Sequence, residues 1–204
     1  MNFLTLIPMA FVMIAGPQIL SSIFLATSEN WRRNSAAYIF GASLSITLFV
    51  TVAYLVGGGS GGGPSSDTLY VIVLVLLVAA MLNVYRTRKT SEPPKWMGKL
   101  QTASPGFSFK LGFLLLGVFP TDILTSVAVG GYLAAHNDPW WHCLPFVALT
   151  LLFLALPSLL LLAFRERGQA FLPKARDWMN TNSWVVNEIV IAFFIAITIN
   201  SLAG

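Results

Sequence analysis

Six apolar stretches of about 20 residues constrain the fold of this chain more than any single motif does. They run over residues 3–27, 35–57, 68–86, 109–134, 143–164 and 184–202. Each is long enough to cross the roughly 30 Å hydrocarbon core of a bilayer as a helix. Only 10% of the residues are charged, whereas soluble domains carry about 25%. The sequence therefore predicts an all-α integral membrane protein with six transmembrane helices in one membrane domain, residues 1–204.

The basic residues fall on one side of this predicted topology. All twelve Lys and Arg residues lie in or beside the connections between spans one and two, three and four, and five and six. The other connections contain a glycine-rich tract at 57–63, Asp67, His136 and Asp138, but no basic residue. Because cytoplasmic loops are enriched in Lys and Arg, we expect a cytoplasmic-membrane protein with both termini outside.

Two further expectations follow from the same distribution of charge. The net charge of +4 is accounted for by the cytoplasmic loops, so we expect no nucleic-acid partner. No basic residue precedes Arg32, so the apolar start lacks the positive n-region of a signal peptide and reads as a retained first span.

An odd number of spans per half predicts two inverted three-helix repeats. Residues 1–88 form the first repeat, 89–105 a cytoplasmic linker and 106–204 the second, so that span one enters from outside and span four from inside. Pro17 lies 14 residues after the start of span one and Pro120 lies 11 residues after the start of span four, so both are roughly 15–20 Å deep. Paired broken helices at corresponding depths are typical of the central site of a secondary transporter.

The acidic residue Asp122 follows the second break, in Phe119-Pro120-Thr121-Asp122. Pro120 should end one half-helix and begin another, with Thr121 and Asp122 in the first turn of the second. Three interpretations remain open: an ionised carboxylate that binds a cation or proton, a carboxyl that alternates between its protonated and ionised forms, or a packing hydrogen bond between helices.

The partner break is Gly16-Pro17-Gln18, where glycine permits close approach and Gln18 offers both a donor and an acceptor. A simple proline kink is the alternative. Asn187 and Glu188, at the cytoplasmic start of span six, are further candidates for a substrate or proton site, although Glu188 lies shallow enough to reach headgroup water. Gly41 and the pair Gly130-Gly131 suit close helix packing.

Enzymatic chemistry finds no support in the sequence. No nucleotide-binding glycine motif, nucleophile elbow or metal-spaced His/Cys cluster is present, and the single cysteine, Cys143, excludes an internal disulfide. We therefore expect neither a cofactor nor a metal. The cytoplasmic connections 88–107 and 166–182 each combine Pro-Lys with a Trp-Met pair, which predicts short amphipathic helices on the inner membrane surface.

The whole chain resembles the GAP/Sap family of glycopeptidolipid- and sulfolipid-addressing proteins, within the lysine-exporter superfamily. The resemblance lies in motifs spread along the chain: Ala15-Gly16-Pro17-Gln18, Gly41-Ala42-Ser43-Leu44, Thr47-Leu48-Phe49, Phe119-Pro120-Thr121-Asp122, Arg176-Asp177-Trp178-Met179-Asn180 and Asn187-Glu188-Ile189. It implies a secondary exporter, with Pro17 and Pro120-Thr121-Asp122 at its functional centre. The thiol-electron transporters of that superfamily need a cysteine in each broken helix, and this chain has none there.

Residues and resemblance together predict an exporter of an amphipathic glycolipid or a small metabolite, coupled to protons through Asp122. The alternative is a non-transporting accessory subunit of a lipid synthesis or export machine. The expected partners are membrane lipids and the transported substrate, and a homo-oligomer is left open.

Overall fold

The computed structural model describes residues 3–14, 17–57, 82, 85–86, 95–182, 185, 188, 192, 195–196 and 199. Within these residues the regular elements are all helical, which agrees with the predicted all-α class. The helices are α1 (Phe3–Ile14), α2 (Pro17–Ala26), α3 (Trp31–Gly57), α4 (Pro105–Val118), α5 (Pro120–Ala135), α6 (Leu144–Ala163) and α7 (Arg165–Thr181). Two 3₁₀ helices, Lys95–Thr102 and Trp140–Cys143, precede α4 and α6.

The predicted break at Pro120 is present. In span one the structure describes α1, which reaches Ile14, and α2, which begins at Pro17. Residues 15–16 lie outside the described residues, so the break at Pro17 stays a prediction. Span four divides into α4 and α5, which meet at an angle of 70°. Phe119 takes an extended conformation (φ −68°, ψ 126°) because the proline that follows it disfavours helical angles. The missing N–H and the clashing ring of Pro120 then start a new helix instead of continuing the old one.

Helix α3 has an apolar exposed face and a mixed buried face. Its exposed side chains include Phe40, Leu44, Leu48, Val52 and Leu55, which follow one another at helical spacing. Its buried residues combine polar and small ones with apolar ones: Asn34, Ser35, Tyr38, Gly41, Ala42, Ser45, Ile46 and Val50. A soluble protein hides its apolar face instead, so this distribution indicates a helix that faces lipid on one side and packs through small and polar residues on the other.

Close backbone contact joins α3 to the second broken span. A Cβ atom added at Gly41 would overlap the Phe109 carbonyl, and one added at Gly112 would overlap the Tyr38 carbonyl. Farther along, Gly130 lies equally close to Val50. Residue numbers rise together in the two segments, so α3 runs parallel to α4 and α5. Gly41 and Gly130 therefore have the predicted packing role, whereas nothing lies within 4 Å of a Cβ at Gly131.

The described residues contain two helices that are long and apolar enough to cross a membrane, Trp31–Gly57 and Trp140–Ala163, and a third if the bent pair α4–α5 is one span. They correspond to predicted spans two, five and four. Most of spans three and six, most of the glycine-rich tract and residues 89–94 of the linker lie outside the described residues.

The predicted start of span two was too late. Helix α3 begins at Trp31, so Arg32 and Arg33 occupy its first turn instead of a loop, because the helix continues past the apolar window into the basic boundary region. On the same side of the molecule, the predicted amphipathic connections form helices, namely the 3₁₀ helix Lys95–Thr102 and α7.

Candidate functional site

A buried hydrogen bond joins the two broken spans at the residues that follow their breaks. Gln18, the second residue of α2, donates from Nε2 to Oδ2 of Asp122, the third residue of α5, over 2.6 Å. Gln18 is 1% exposed and Asp122 is fully buried. The two residues are 104 positions apart in sequence, so the fold alone brings them into contact.

The start of α5 suits a carboxyl group. The backbone N–H groups of Asp122 and Ile123 both donate to the Phe119 carbonyl, over 3.1 Å each, and so close the first turn. Asp122 lies within that turn, where the positive end of the helix dipole favours negative charge. The break at Pro120 therefore positions the carboxyl and creates the local field that stabilises its ionised form.

Helix α3 contributes a residue to this site that the sequence analysis missed. Tyr38 is fully buried, and its hydroxyl donates to the backbone carbonyl of Gln18 over 2.9 Å. Gln18 is thus held by its side chain to α5 and by its backbone to α3. The available signal was the spacing of Asn34, Tyr38, Gly41 and Ser45, which places polar and small residues on one face of an otherwise apolar helix.

Several buried polar atoms near the pair make no hydrogen bond within the described residues. They are Oε1 of Gln18 and the hydroxyls of Ser21, Ser45 and Ser126. Ser21 lies one turn after Gln18 on α2, and Ser126 one turn after Asp122 on α5, so each shares a face with its partner in the pair. Because buried polar groups are normally satisfied, these four atoms mark an interior that can accept polar or hydrated groups.

The remaining predicted site residues are placed less centrally. Thr121 is exposed, and its hydroxyl approaches Oδ1 of Asp122 only to 3.4 Å. Glu188 is partly buried, with Oε1 unpaired, and no hydrogen bond in the described part of the chain joins it to Asp122. Pro120 begins α5 as predicted, and Pro17 is the first described residue of α2. Gly16 and Asn187 lie outside the described residues.

Chemically, the site combines one titratable carboxyl with an amide that has two hydrogen-bonding roles. Among the described residues, no group of three or more His, Cys, Asp or Glu side chains could hold a metal ion. When the carboxyl is ionised, Gln18 Nε2 donates a hydrogen bond to it. When the carboxyl is protonated, the same amide, rotated by 180°, can accept a hydrogen bond from its O–H through Oε1. The pair can therefore exist in both states without breaking the contact between α2 and α5.

In a comparison with known families, a family model matches nearly the whole chain. The family described as Sap, sulfolipid-1-addressing protein, matches residues 6–202. No curated protein and no solved structure matches the chain.

Proposed function

The chain belongs to the Sap, sulfolipid-1-addressing protein, family, and on this premise we propose that it is a secondary-active exporter coupled to protons through Asp122. The favoured substrate is an amphipathic glycolipid, which fits the family description, and a small metabolite is the second candidate. The exporter would lie in the cytoplasmic membrane as two inverted three-helix repeats with both termini outside, in keeping with the lysine-exporter superfamily.

The observation that carries this proposal is the buried Gln18–Asp122 hydrogen bond. In an inverted-repeat exporter, the two broken spans move relative to each other as the central site opens to one side and then to the other. The hydrogen bond of a carboxyl at their contact would form or break with that movement. The bond between Nε2 and an ionised Asp122 favours the state in which α2 and α5 meet, and protonation of the carboxyl weakens this charge-assisted bond.

The packing around the site supports the same mechanism. Close glycine contacts attach α4 and α5 to α3, whereas α2 reaches α3 at this depth through the hydrogen bond from Tyr38. The parallel course of α3 and α4–α5 is the one expected for spans two and four of an alternating topology. We infer that α3, α4 and α5 form the more rigid side of the site and that α2 moves against it.

A vesicle assay tests the proposal. Purified protein is reconstituted with a fluorescent sulfated glycolipid in the inner leaflet, and the fraction that reaches the outer leaflet is read by an impermeant quencher. Acidifying the outside should accelerate export by wild type, because protons entering would exchange for substrate leaving. Asp122→Asn should lose this pH dependence and most of the flux.

The control is Asp138→Asn, which removes a carboxyl in the outer connection and should leave both flux and pH dependence unchanged. Equal, pH-dependent flux in wild type and Asp122→Asn would exclude Asp122 from the mechanism. If wild-type protein as the sole component moves no lipid at any pH, the accessory-subunit alternative gains and the exporter proposal fails.

A further inference from the structure

A cavity of about 420 Å³ lies at the basic side of the molecule, away from the Gln18–Asp122 pair. It is lined by residues from the end of α2, the turn into α3, the first turn of α3, the last part of α6 and the middle of α7. This volume is within the range of about 300–1,000 Å³ that is typical of small-molecule sites. The topology predicted from charge places the cavity at the cytoplasmic leaflet.

The cavity lining combines polar and apolar side chains. The polar ones are Thr27, Ser28 and Arg32, and the others are Ala26, Trp31, Leu161 and Pro173. Ala26 and Leu161 also belong to a small buried cluster with Ile23 and Leu172. A lining that offers both a cation and aliphatic carbon matches an amphiphile better than it matches a fully polar metabolite.

Among the side chains that the structure describes, Arg32 is the one cationic group that lines the cavity. Its guanidinium lies 5.2 Å from the centroid of the Trp31 ring, and it makes no ion pair with any described side chain. Stacking on an aromatic face leaves the guanidinium N–H groups free to bind a phosphate or sulfate in a bidentate way. Glu29, the nearest acidic residue in sequence, does not line the cavity.

The hydroxyl groups that line the cavity are already engaged as donors. Ser28 Oγ donates to the Leu25 carbonyl over 2.7 Å and accepts from Asn34 Nδ2 over 2.9 Å. Thr27 Oγ1 is directed at the carbonyls of Ile23 and Phe24. An anion in the cavity would therefore obtain its strongest hydrogen bonds from Arg32, which makes this residue the decisive one for charge recognition.

We propose that this cavity binds the headgroup of an anionic lipid from the inner leaflet. The phosphate or sulfate ester contacts Arg32, and the adjoining apolar part of the lipid packs against Leu161 and Pro173. As a docking site for substrate on its way to Asp122, the cavity rests on the proposed export function, whereas the binding itself does not depend on transport.

Lipid binding can be measured by native mass spectrometry of the full-length protein in detergent, with phosphatidylglycerol as the anionic probe and phosphatidylcholine as the zwitterionic one. Wild type should retain one phosphatidylglycerol in preference to phosphatidylcholine. Arg32→Gln should reduce that occupancy about tenfold, the effect of losing one charge-assisted hydrogen bond. Arg32→Lys should give an intermediate loss, because it keeps the charge but not the planar fork.

The matched control is Arg33→Gln, which removes an exposed neighbouring charge that does not line the cavity. Its occupancy should stay within twofold of wild type. An equal loss in both variants, equal retention of the two lipids by wild type, or displacement of the lipid by millimolar free sulfate would each overturn the proposal. Selective lipid binding by a protein that exports nothing would support this site and exclude the proposed function. pH-coupled export without selective lipid binding would support the proposed function and exclude this site.

Discussion

The two broken spans are alike in backbone and unlike in chemistry. A proline is the first described residue of the second helix in each span, α2 or α5, and each of these helices has a polar side chain in its first turn. The first break presents the amide of Gln18, which cannot titrate, and the second presents the carboxyl of Asp122, which can. Since only Asp122 can change charge, protonation alters this hydrogen-bonded contact through the residue on α5 alone.

The two spans also differ in how they are attached to α3. The second is held by backbone contacts at Gly41, Gly112 and Gly130, where no side chain separates the helices. The first is held near its break by the Tyr38 hydroxyl, which reaches the Gln18 carbonyl. Backbone contact tolerates little displacement, whereas one hydrogen bond can be exchanged for another. This difference leads to three predictions, of decreasing size.

The largest effect is expected at the glycine contact. Gly112→Ala should lower the free energy of unfolding by roughly 3 kcal/mol, because the added methyl group overlaps the Tyr38 carbonyl and forces α4 away from α3. SDS titration in mixed micelles measures this quantity. Gly106→Ala in the same helix is the control: nothing lies within 4 Å of its added Cβ, so its stability should stay within about 0.5 kcal/mol of wild type or rise. Similar losses in both variants would refute the close attachment.

The second prediction concerns the asymmetry of the pair itself. Gln18→Leu should lower the free energy of unfolding by about 2 kcal/mol at neutral pH, because it leaves the buried Asp122 carboxyl without its amide donor. Asp122→Asn should cost less than about 1 kcal/mol, because the new amide oxygen can still accept from Gln18 Nε2. The same SDS titration compares them. A larger loss for Asp122→Asn than for Gln18→Leu would show that the carboxyl is the structural member of the pair.

Much of this arrangement was predictable from sequence, because it depends on local chemistry. Pro120 lacks an N–H and clashes with the preceding turn, so the start of α5 was predictable from covalent structure. The effect is not general, since Pro157 lies inside α6 without ending it. The family resemblance was likewise confirmed by the match over residues 6–202. Glycine packing was predictable in kind, but whether Gly130 or Gly131 faces α3 depends on the rotation of α5, which tertiary contacts determine.

What the sequence could not provide was pairing across long separations. Nothing in the local pattern specifies that the Gln18 amide meets Asp122, or that Tyr38 donates to the Gln18 backbone. The cavity beside Arg32 requires that α6 and α7 return to the end of α2, which is a property of the folded chain. The burial of neighbouring residues also depends on the fold: Thr121 directly precedes Asp122 but is exposed, because adjacent residues on a helix point about 100° apart.

The smallest effect is therefore expected at Thr121, although it lies next to the carboxyl in sequence. Its hydroxyl is 3.4 Å from Oδ1 of Asp122, a distance at which a hydrogen bond contributes little. Thr121→Val should change the free energy of unfolding by less than about 0.5 kcal/mol and leave the pH dependence of export as in wild type. Thr121→Ser keeps the hydroxyl and removes the methyl group, so it distinguishes the effect of the hydroxyl from that of the side-chain shape. If Thr121→Val lost the pH dependence and Thr121→Ser recovered it, the hydroxyl would take part in proton transfer, and the second break would carry two functional side chains instead of one.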